Sequence, residues 1–240
     1  MKIDLELVTG FIGAGKSVFI NSLIKLTKIK DEKILLIVTE SGHVKSKSTE
    51  KIKVIFYEND IKFLNLYLIE QIQLVQPDRI IIEYNGTNTV DEFFKFVYKD
   101  KFLKLCKLKS IYYIIKYETY FYYFKNMSEL FIPYIENCNL IIVNSDNQLI
   151  NKDKDKIYKF ISSFNPMCHI IFIEKNMDIC KELINSNLFL SKKHREIKFQ
   201  LKKLLFNNKV INSYIQLEFT LLKLNFYIKI IVLLLRMYLN

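Results

Sequence analysis

The sequence is short of the residues that usually interrupt or cross-link a chain. It has five glycines, three prolines, four cysteines and no tryptophan in 240 residues. The cysteines stand far apart with no C-x-x-C pair, which argues against a zinc site or a disulfide framework and favours four buried thiols in a reducing compartment. They are Cys106, Cys138, Cys168 and Cys180. No charged n-region or small-residue cleavage site precedes the first strand pattern, so we expect a cytoplasmic protein rather than a secreted one.

Long uncharged apolar runs are missing too, even from the apolar end of the chain. Residues 228–239 are strongly apolar, but Lys223, Lys229 and Arg236 interrupt the window. No uncharged run approaches the roughly 20 residues that a membrane-spanning helix needs. The sequence favours an amphipathic docking helix, an interfacial helix or a truncated end over a spanning helix, and membrane contact is the less favoured alternative.

Acidic residues are outnumbered, because 36 Lys and Arg face 25 Asp and Glu and the formal net charge is +11. This balance favours anionic partners such as nucleotide phosphates, nucleic acid or acidic lipid. A basic stretch runs from Lys192 to Lys203, but no nucleic-acid reading module accompanies it. We therefore expect a solvated basic face and no specific nucleic-acid partner.

Apolar runs alternate with helical segments along most of the chain, a pattern typical of an α/β fold with a mostly parallel sheet and flanking helices. The predicted strands are residues 3–8, 34–38, 54–57, 79–82, 111–115, 140–143 and 170–173. The predicted crossover helices are residues 16–28, 61–75, 91–104, 153–164 and 177–184. The three prolines, Pro77, Pro133 and Pro166, are expected between elements.

Three of the five glycines fall within six residues, in a loop between the first predicted strand and helix. The loop from Gly10 to Ser17 matches the phosphate-binding pattern G-x-x-x-x-G-K-[ST]. Its backbone N–H groups are expected to point at a β-phosphate, next to the positive end of the helix. Lys16 is predicted to reach the β- and γ-phosphate oxygens, and the Ser17 hydroxyl to ligate Mg²⁺. The predicted nucleotide-binding residues here are Gly10, Gly13, Ala14, Gly15, Lys16, Ser17 and Val18.

An acidic residue directly after three isoleucines supplies the second part of the predicted site. Glu83 follows the strand 79–82, and open α/β folds bind ligands at the carboxyl ends of their strands. We expect Glu83 to lie near Ser17 and to hold Mg²⁺ or its waters with it. Gly86 is predicted to let the backbone approach the γ-phosphate. Lys16 and Glu83 are therefore the catalytic candidates, and Ser17 and Glu83 are the metal-ligand candidates.

These residues resemble the CobW/HypB/UreG family of P-loop GTPases, and most closely its CobW branch. The run from Val8 to Lys16 nearly has the CobW form, and Glu83 with Gly86 resembles the family's second motif. The resemblance continues through residues 77–79, 139–144 and 164–166 and covers roughly residues 3–175. It implies a parallel-sheet GTPase domain that uses GTP and Mg²⁺. It also implies metal delivery or metallocofactor assembly, with a metalloenzyme or a cofactor-building enzyme as the client.

The segment that would read the base departs from the family pattern. The family uses Asn-Lys-x-Asp, and the corresponding residues here are Asn144, Ser145, Asp146 and Asn147. The carboxylate is either one residue early, at Asp146, or replaced by the Asn147 amide. An amide accepts one hydrogen bond but lacks the charge that makes guanine discrimination strong. Asn144, Asp146 and Asn147 remain the predicted base-reading residues, with GTP as the expected ligand and ATP as the alternative.

Further departures affect the implied metal chemistry. CobW proteins carry a Cys-x-Cys-Cys motif before the Glu strand, but the matching stretch, residues 54–60, has no cysteine. Without thiolates a high-affinity zinc or cobalt site of that type cannot form. Lys116 stands where the family usually has Asp. Glu40, in the first-switch region Thr39–His43, is a candidate for positioning Mg²⁺ or water.

Three functional hypotheses follow. The first is a slow, magnesium-dependent GTPase of the CobW kind. The second is a switch that works by nucleotide occupancy alone, without metal transfer, and the third is an ATP-using P-loop protein. In each, residues 1–188 form the nucleotide-binding domain, and residues 189–240 form a basic and then apolar extension that is a candidate remnant of a second domain.

Overall fold

The computed structural model describes residues 2–40, 48–175, 177–189, 194–197 and 199–200. Residues 2–189, within those limits, belong to one compact unit, and residues 194–200 belong to another. Most of the predicted C-terminal extension lies outside the described residues. So do Ser41, Gly42 and His43 of the predicted first switch.

A seven-stranded sheet forms the centre of the larger unit, with the strand order β3-β2-β4-β1-β5-β6-β7. Every pairing in it is parallel. The strands are β1 (Ile3–Gly10), β2 (Ile34–Val38), β3 (Ile52–Phe56), β4 (Arg79–Asn85), β5 (Cys106–Lys116), β6 (Leu140–Asn144) and β7 (His169–Ile173). The predicted fold class is confirmed. Strands β1 and β4, which border the predicted site, extend beyond the apolar runs of the sequence. Strand β1 continues to Gly10, and β4 continues through Glu83 to Asn85.

Eight α-helices accompany the sheet in the described part of residues 2–189. They are α1 (Lys16–Thr27), α2 (Leu64–Val75), α3 (Val90–Val97), α4 (Asp100–Leu105), α5 (Tyr117–Asn126), α6 (Ser128–Asn137), α7 (Asn151–Phe164) and α8 (Ile179–Asn185). A 3₁₀ turn, Ile61–Phe63, precedes α2. The single helix predicted over residues 91–104 is two, α3 and α4.

The sequence prediction missed α5 and α6, and it placed Pro133 wrongly. Pro133 lies inside α6, where a proline removes a helical hydrogen bond. The neighbouring side chains Phe131, Tyr134 and Ile135 are buried in the core. Burial of three large apolar side chains offsets the lost hydrogen bond, since each is worth about 1.5–3 kcal/mol. Helix α5 has no fully buried residue. A helix without a buried face does not need apolar residues at helical spacing, so its sequence carries no clear helical pattern.

The two faces of the sheet each carry a hydrophobic core. On one face, Leu5 and Leu7 of β1 pack with residues of α2, α3, α6 and α7. On the other, Val8 packs with Phe19, Ile20 and other residues of α1, and with α8. Burial on both faces is why the strands read as continuous apolar runs in the sequence. It also fixes α1 against the sheet directly behind the loop at Gly10–Ser17.

A buried ion cluster fixes the far end of α1. The Arg79 guanidinium, at the start of β4, donates from Nη1 to Thr27 Oγ1 of α1 at 2.8 Å. Its Nε lies 3.1 Å from Glu32 Oε1, and its Nη1 lies 3.6 Å from Glu6 Oε2. Burial raises the pKa of Glu32, while the Arg79 charge opposes that rise. Helix α1 and strand β4 are therefore tied together at the edge of the sheet opposite Glu83.

The four thiols differ in burial. Cys106 and Cys138 are buried as predicted, but Cys168 and Cys180 are only partly buried. Among the described residues, no helix combines the length and apolar character needed to cross a bilayer.

Gly10 provides a test of the turn that ends β1. Its φ is +146°, and a Cβ atom there would lie 2.2 Å from the carbonyl oxygen of Ile114. We expect Gly10→Ala to destabilise the protein by about 2–4 kcal/mol, from backbone strain and overpacking together. Gly13→Ala is the control, because Gly13 has a φ of +75° but open space around it. Urea unfolding measures both, and equal losses from the two substitutions would refute the contact with Ile114.

Candidate nucleotide-phosphate site

The loop between β1 and α1 forms a tight turn whose shape depends on its glycines. Gly13 and Gly15 have positive φ angles of 75° and 103°. The Ala14 N–H donates to the Phe11 carbonyl at 3.2 Å. The Phe11 ring stacks on Tyr123 with its centroid 3.9 Å away, which fixes the start of the loop against α5. Ile12 is largely exposed at the tip.

The N-terminus of α1 is open to an anion. Gly15 is its N-cap and makes no side-chain cap, and the first turn carries no acidic residue. The first N–H groups of such a helix have no intrahelical partner and carry the positive end of the helix dipole. Val18 lies in this first turn and is partly exposed. The loop and the helix start together present the donors that a phosphate needs.

Lys16 is buried, and its ammonium group has three close partners. Its Nζ donates to the carbonyl oxygens of Gly10 at 2.8 Å and Phe11 at 3.1 Å. It also lies 2.6 Å from Glu40 Oε2, and the two side chains are only 5% and 11% exposed. The two contacts within the loop are hydrogen bonds, and the contact with Glu40 is an ion pair. A phosphate that binds Lys16 must therefore displace one partner, and Glu40 is the one that lies outside the loop.

Ser17 and Glu83 meet as the sequence predicted. The Ser17 hydroxyl donates to Glu83 Oε1 at 2.8 Å. Glu83 lies in β4 beside Val8 of β1, and its side chain is buried. Burial raises the pKa of Glu83, the Ser17 hydroxyl and Lys16 lower it, and the Glu40 carboxylate raises it further. A buried carboxylate beside a hydroxyl is a donor pair of hard oxygens, the type that Mg²⁺ prefers.

Hydrogen bonds of the Thr39 hydroxyl and close packing at Gly86 hold Glu83 and the loop in place. The Thr39 hydroxyl, after β2, donates to the Glu83 carbonyl at 3.1 Å and accepts from the Asn85 N–H at 3.1 Å. Gly86 lies directly against the loop, because a Cβ atom there would be 2.5 Å from the carbonyl carbon and oxygen of Gly10. Gly86 thus lets the end of β4 approach the start of the phosphate loop.

A polar cluster lies on the other side of β1, where β5 and β6 end. Asn144, the last residue of β6, donates from Nδ2 to the Ala14 carbonyl at 3.1 Å and so touches the loop. Asp146 is exposed, and its Oδ2 lies 2.6 Å from Lys116 Nζ. Asn147 is exposed and donates weakly, at 3.5 Å, to Glu118 Oε1. The three predicted base-reading residues therefore belong to one loop, but only Asn144 contacts the phosphate loop.

Sequence reasoning missed Glu118, which organises this cluster. Its Oε1 accepts from the Ser145 hydroxyl at 2.8 Å and from the Asp146 N–H at 2.9 Å. Glu118 lies in the first turn of α5, a helix that the apolar pattern did not reveal. Its only sequence signal is a carboxylate two residues after the strand that ends at Lys116.

The described residues hold no group of three or more His, Cys, Asp or Glu side chains placed to bind one metal ion. In the stretch that aligns with the family's cysteine motif, Asp60 instead accepts from the Lys62 N–H at 2.9 Å and starts the 3₁₀ turn.

No family model and no curated protein matches the chain. Among solved structures, it is similar to the Zn(II)-bound YjiA GTPase from E. coli, with a TM-score of 0.57 and 18% identity over 79% of this chain and 63% of that one. A Zn(II)-bound triple mutant of YjiA gives a TM-score of 0.58, 17% identity and the same coverage.

The chain has the P-loop NTPase fold. The predicted resemblance is thereby confirmed as a likeness of fold. The chain spans less than two thirds of the length of these GTPases.

The ion pair between Lys16 and Glu40 predicts that the Glu40 carboxylate competes with a bound phosphate for the Lys16 ammonium group. We expect Glu40→Gln to tighten the binding of GDP in the absence of magnesium by roughly fivefold, the equivalent of about 1 kcal/mol, because the amide competes less well for Lys16. Without a metal, Glu40 has no ligand role that would offset this gain.

Isothermal titration at low ionic strength measures the change. Glu70→Gln serves as the matched control, since Glu70 is an exposed residue of α2. Unchanged or weaker GDP binding by the Glu40 variant would show that the ion pair with Lys16 does not compete with phosphate.

Proposed function

We propose that this chain binds a magnesium–nucleoside triphosphate, GTP in the first place, and hydrolyses it slowly. The observation that carries the proposal is the meeting of three parts at one edge of the sheet. These are the glycine turn with the open helix start, the buried Lys16, and the Ser17–Glu83 pair at 2.8 Å. The fold that the chain shares with the YjiA GTPase supports it.

The chemistry would be mostly electrostatic. Backbone N–H groups of the loop and the start of α1 bind and orient the β-phosphate, and Lys16 neutralises charge on the β- and γ-phosphate oxygens. The magnesium ion supplies further neutralisation of the phosphates when bound, and Ser17 and Glu83 fit it because both offer oxygen donors beside a loop that lacks acidic residues. We assign no described side chain as a general base, and we therefore expect turnover to be slow in the absence of a partner.

The phosphate loop is tested by magnesium-dependent binding of fluorescent GTP to the wild type and to Lys16→Ala. We expect at least a roughly tenfold loss of affinity, because a charge-assisted hydrogen bond contributes about 1.5–3 kcal/mol. Lys25→Ala is the matched control, since Lys25 lies on the same helix, near its other end. Binding that survives Lys16→Ala unchanged would overturn the proposed phosphate site.

The base would lie on the β5–β6 side of the loop. Ser17 and Glu83 lie on the β4 side and would hold the metal there, where it would neutralise charge on the terminal phosphates. The nucleoside then extends towards the loop that follows Asn144. One oxygen of each carboxylate there has a partner, since Asp146 Oδ2 pairs with Lys116 and Glu118 Oε1 accepts from the Ser145 hydroxyl. We assign the base contact to the Asn147 amide, which lacks a charge, so the preference for GTP over ATP is expected to be weak.

Asn147→Asp is therefore expected to strengthen guanine recognition. A carboxylate accepts from both the ring N–H and the exocyclic amine of guanine, and a good bidentate contact is worth about 1–3 kcal/mol of discrimination. The ratio of GTP to ATP affinity should rise by roughly five-fold or more. Asp146→Asn is the control, because its carboxylate is paired with Lys116. A ratio that moves with Asp146 and not with Asn147 would assign the base contact to Asp146.

A role in metal delivery to a metalloenzyme or a cofactor-assembly client extends the proposal. It is supported by the sequence resemblance and by the Zn(II) in the YjiA structures. An alternative, a nucleotide-occupancy switch, is favoured by the missing cysteines of residues 54–60. Phosphate release with and without added zinc separates the two: a zinc-dependent change in rate supports metal delivery, and nucleotide binding with no phosphate release supports the switch.

A further inference from the structure

Two cysteines meet at the edge of the sheet opposite the phosphate loop. Cys138 joins α6 to β6, and Cys168 directly precedes β7. Their Sγ atoms are 3.3 Å apart although the residues are 30 positions apart in the chain. The sulfur atoms of a disulfide are about 2.05 Å apart, so a small adjustment of the two side chains would bring them to bonding distance.

The backbone around the pair is held together independently of the thiols. The His169 N–H donates to the Asn139 carbonyl at 3.1 Å, which aligns the starts of β6 and β7. The Asn165 side-chain amide donates across the same junction, to the carbonyl oxygens of Ile135 at 2.8 Å and Cys138 at 3.0 Å. The two sulfur atoms therefore meet in the folded chain because β-sheet pairing and a side-chain clamp place them there.

The two thiols are not equivalent. Cys138 is buried, whereas Cys168 is partly exposed between the exposed residues Met167 and His169. The contact between the two sulfur atoms lowers the pKa of Cys168, and the same contact together with burial raises the pKa of Cys138. The accessible member of the pair is thus also the one that ionises more readily, and the thiolate is the form that attacks a disulfide.

We propose that Cys138 and Cys168 are a redox-active thiol pair that closes to an intrachain disulfide when the protein meets a small-molecule disulfide. The Cys168 thiolate attacks one sulfur of oxidised glutathione, forming a mixed disulfide and releasing one glutathione thiolate. The Cys138 thiol then loses its proton and attacks the Cys168 sulfur, releasing the second glutathione. In sum, two protein thiols are oxidised to one disulfide, and one glutathione disulfide is reduced to two glutathione thiols.

The test is to incubate the folded, reduced wild-type chain with oxidised glutathione, quench with an alkylating agent and map the peptides by mass spectrometry. We expect a mass loss of about 2 Da, for the two hydrogen atoms removed, and one cross-linked peptide that joins residues 138 and 168. The oxidised chain should also unfold at a higher temperature than the reduced chain, because the cross-link restricts the unfolded state.

Variants separate the roles of the two thiols. Cys138→Ser should stop the reaction at a glutathione adduct on Cys168, and Cys168→Ser should abolish both the adduct and the disulfide. A double variant, Cys106→Ser with Cys180→Ser, lacks the two other cysteines and should form the disulfide as the wild type does. Three outcomes in the wild type would each overturn the proposal: both thiols remaining reduced, a glutathione adduct on Cys168 that is not resolved, or a disulfide that includes Cys106 or Cys180.

Discussion

The turn from β1 into α1 is the constraint on which the rest of the site depends. The chain reverses over a few residues from β1, a central and largely buried strand, into a helix. It does so through left-handed backbone angles at Gly13 and Gly15. The Lys16 ammonium donates back to the carbonyl oxygens of Gly10 and Phe11 and so closes the turn from within. The same geometry leaves the first N–H groups of α1 without partners, which makes the turn an anion site.

Helix α1 is held against β4 at both ends, and this aligns the parts of the site. Arg79, at the start of β4, reaches the last residue of α1 through Thr27. Glu83, near the end of β4, reaches the first turn of α1 through Ser17. Between these two contacts, burial of the α1 side chains against the sheet fixes the helix. The distance between Ser17 and Glu83 is thus set by the packing of a whole layer, which is why a hydroxyl and a carboxylate 66 residues apart meet at 2.8 Å.

The sequence predicted the parts of the fold that repeat a simple pattern. The seven apolar runs became seven parallel strands, and the phosphate loop, Lys16, Ser17 and Glu83 lie together at the carboxyl edge. Helices α5 and α6 escaped prediction because α5 buries no residue fully and α6 contains Pro133. Glu118 and the ion pair of Lys16 with Glu40 escaped it as well, since contacts between loops leave no periodic signal in the sequence. The clamp of Arg79 on Thr27 and the approach of Cys138 to Cys168 are tertiary contacts of the same kind.

The central claim is that a nucleotide phosphate binds in the turn between β1 and α1. Amide hydrogen exchange tests it most directly, because the N–H groups of Gly13 to Ser17 would become hydrogen-bonded to phosphate oxygens. The account predicts slower exchange in this segment when GTP and magnesium are added to the folded chain, with a smaller change at the loop that follows Asn144. Unchanged exchange from Gly13 to Ser17 at a nucleotide concentration that saturates binding would contradict it.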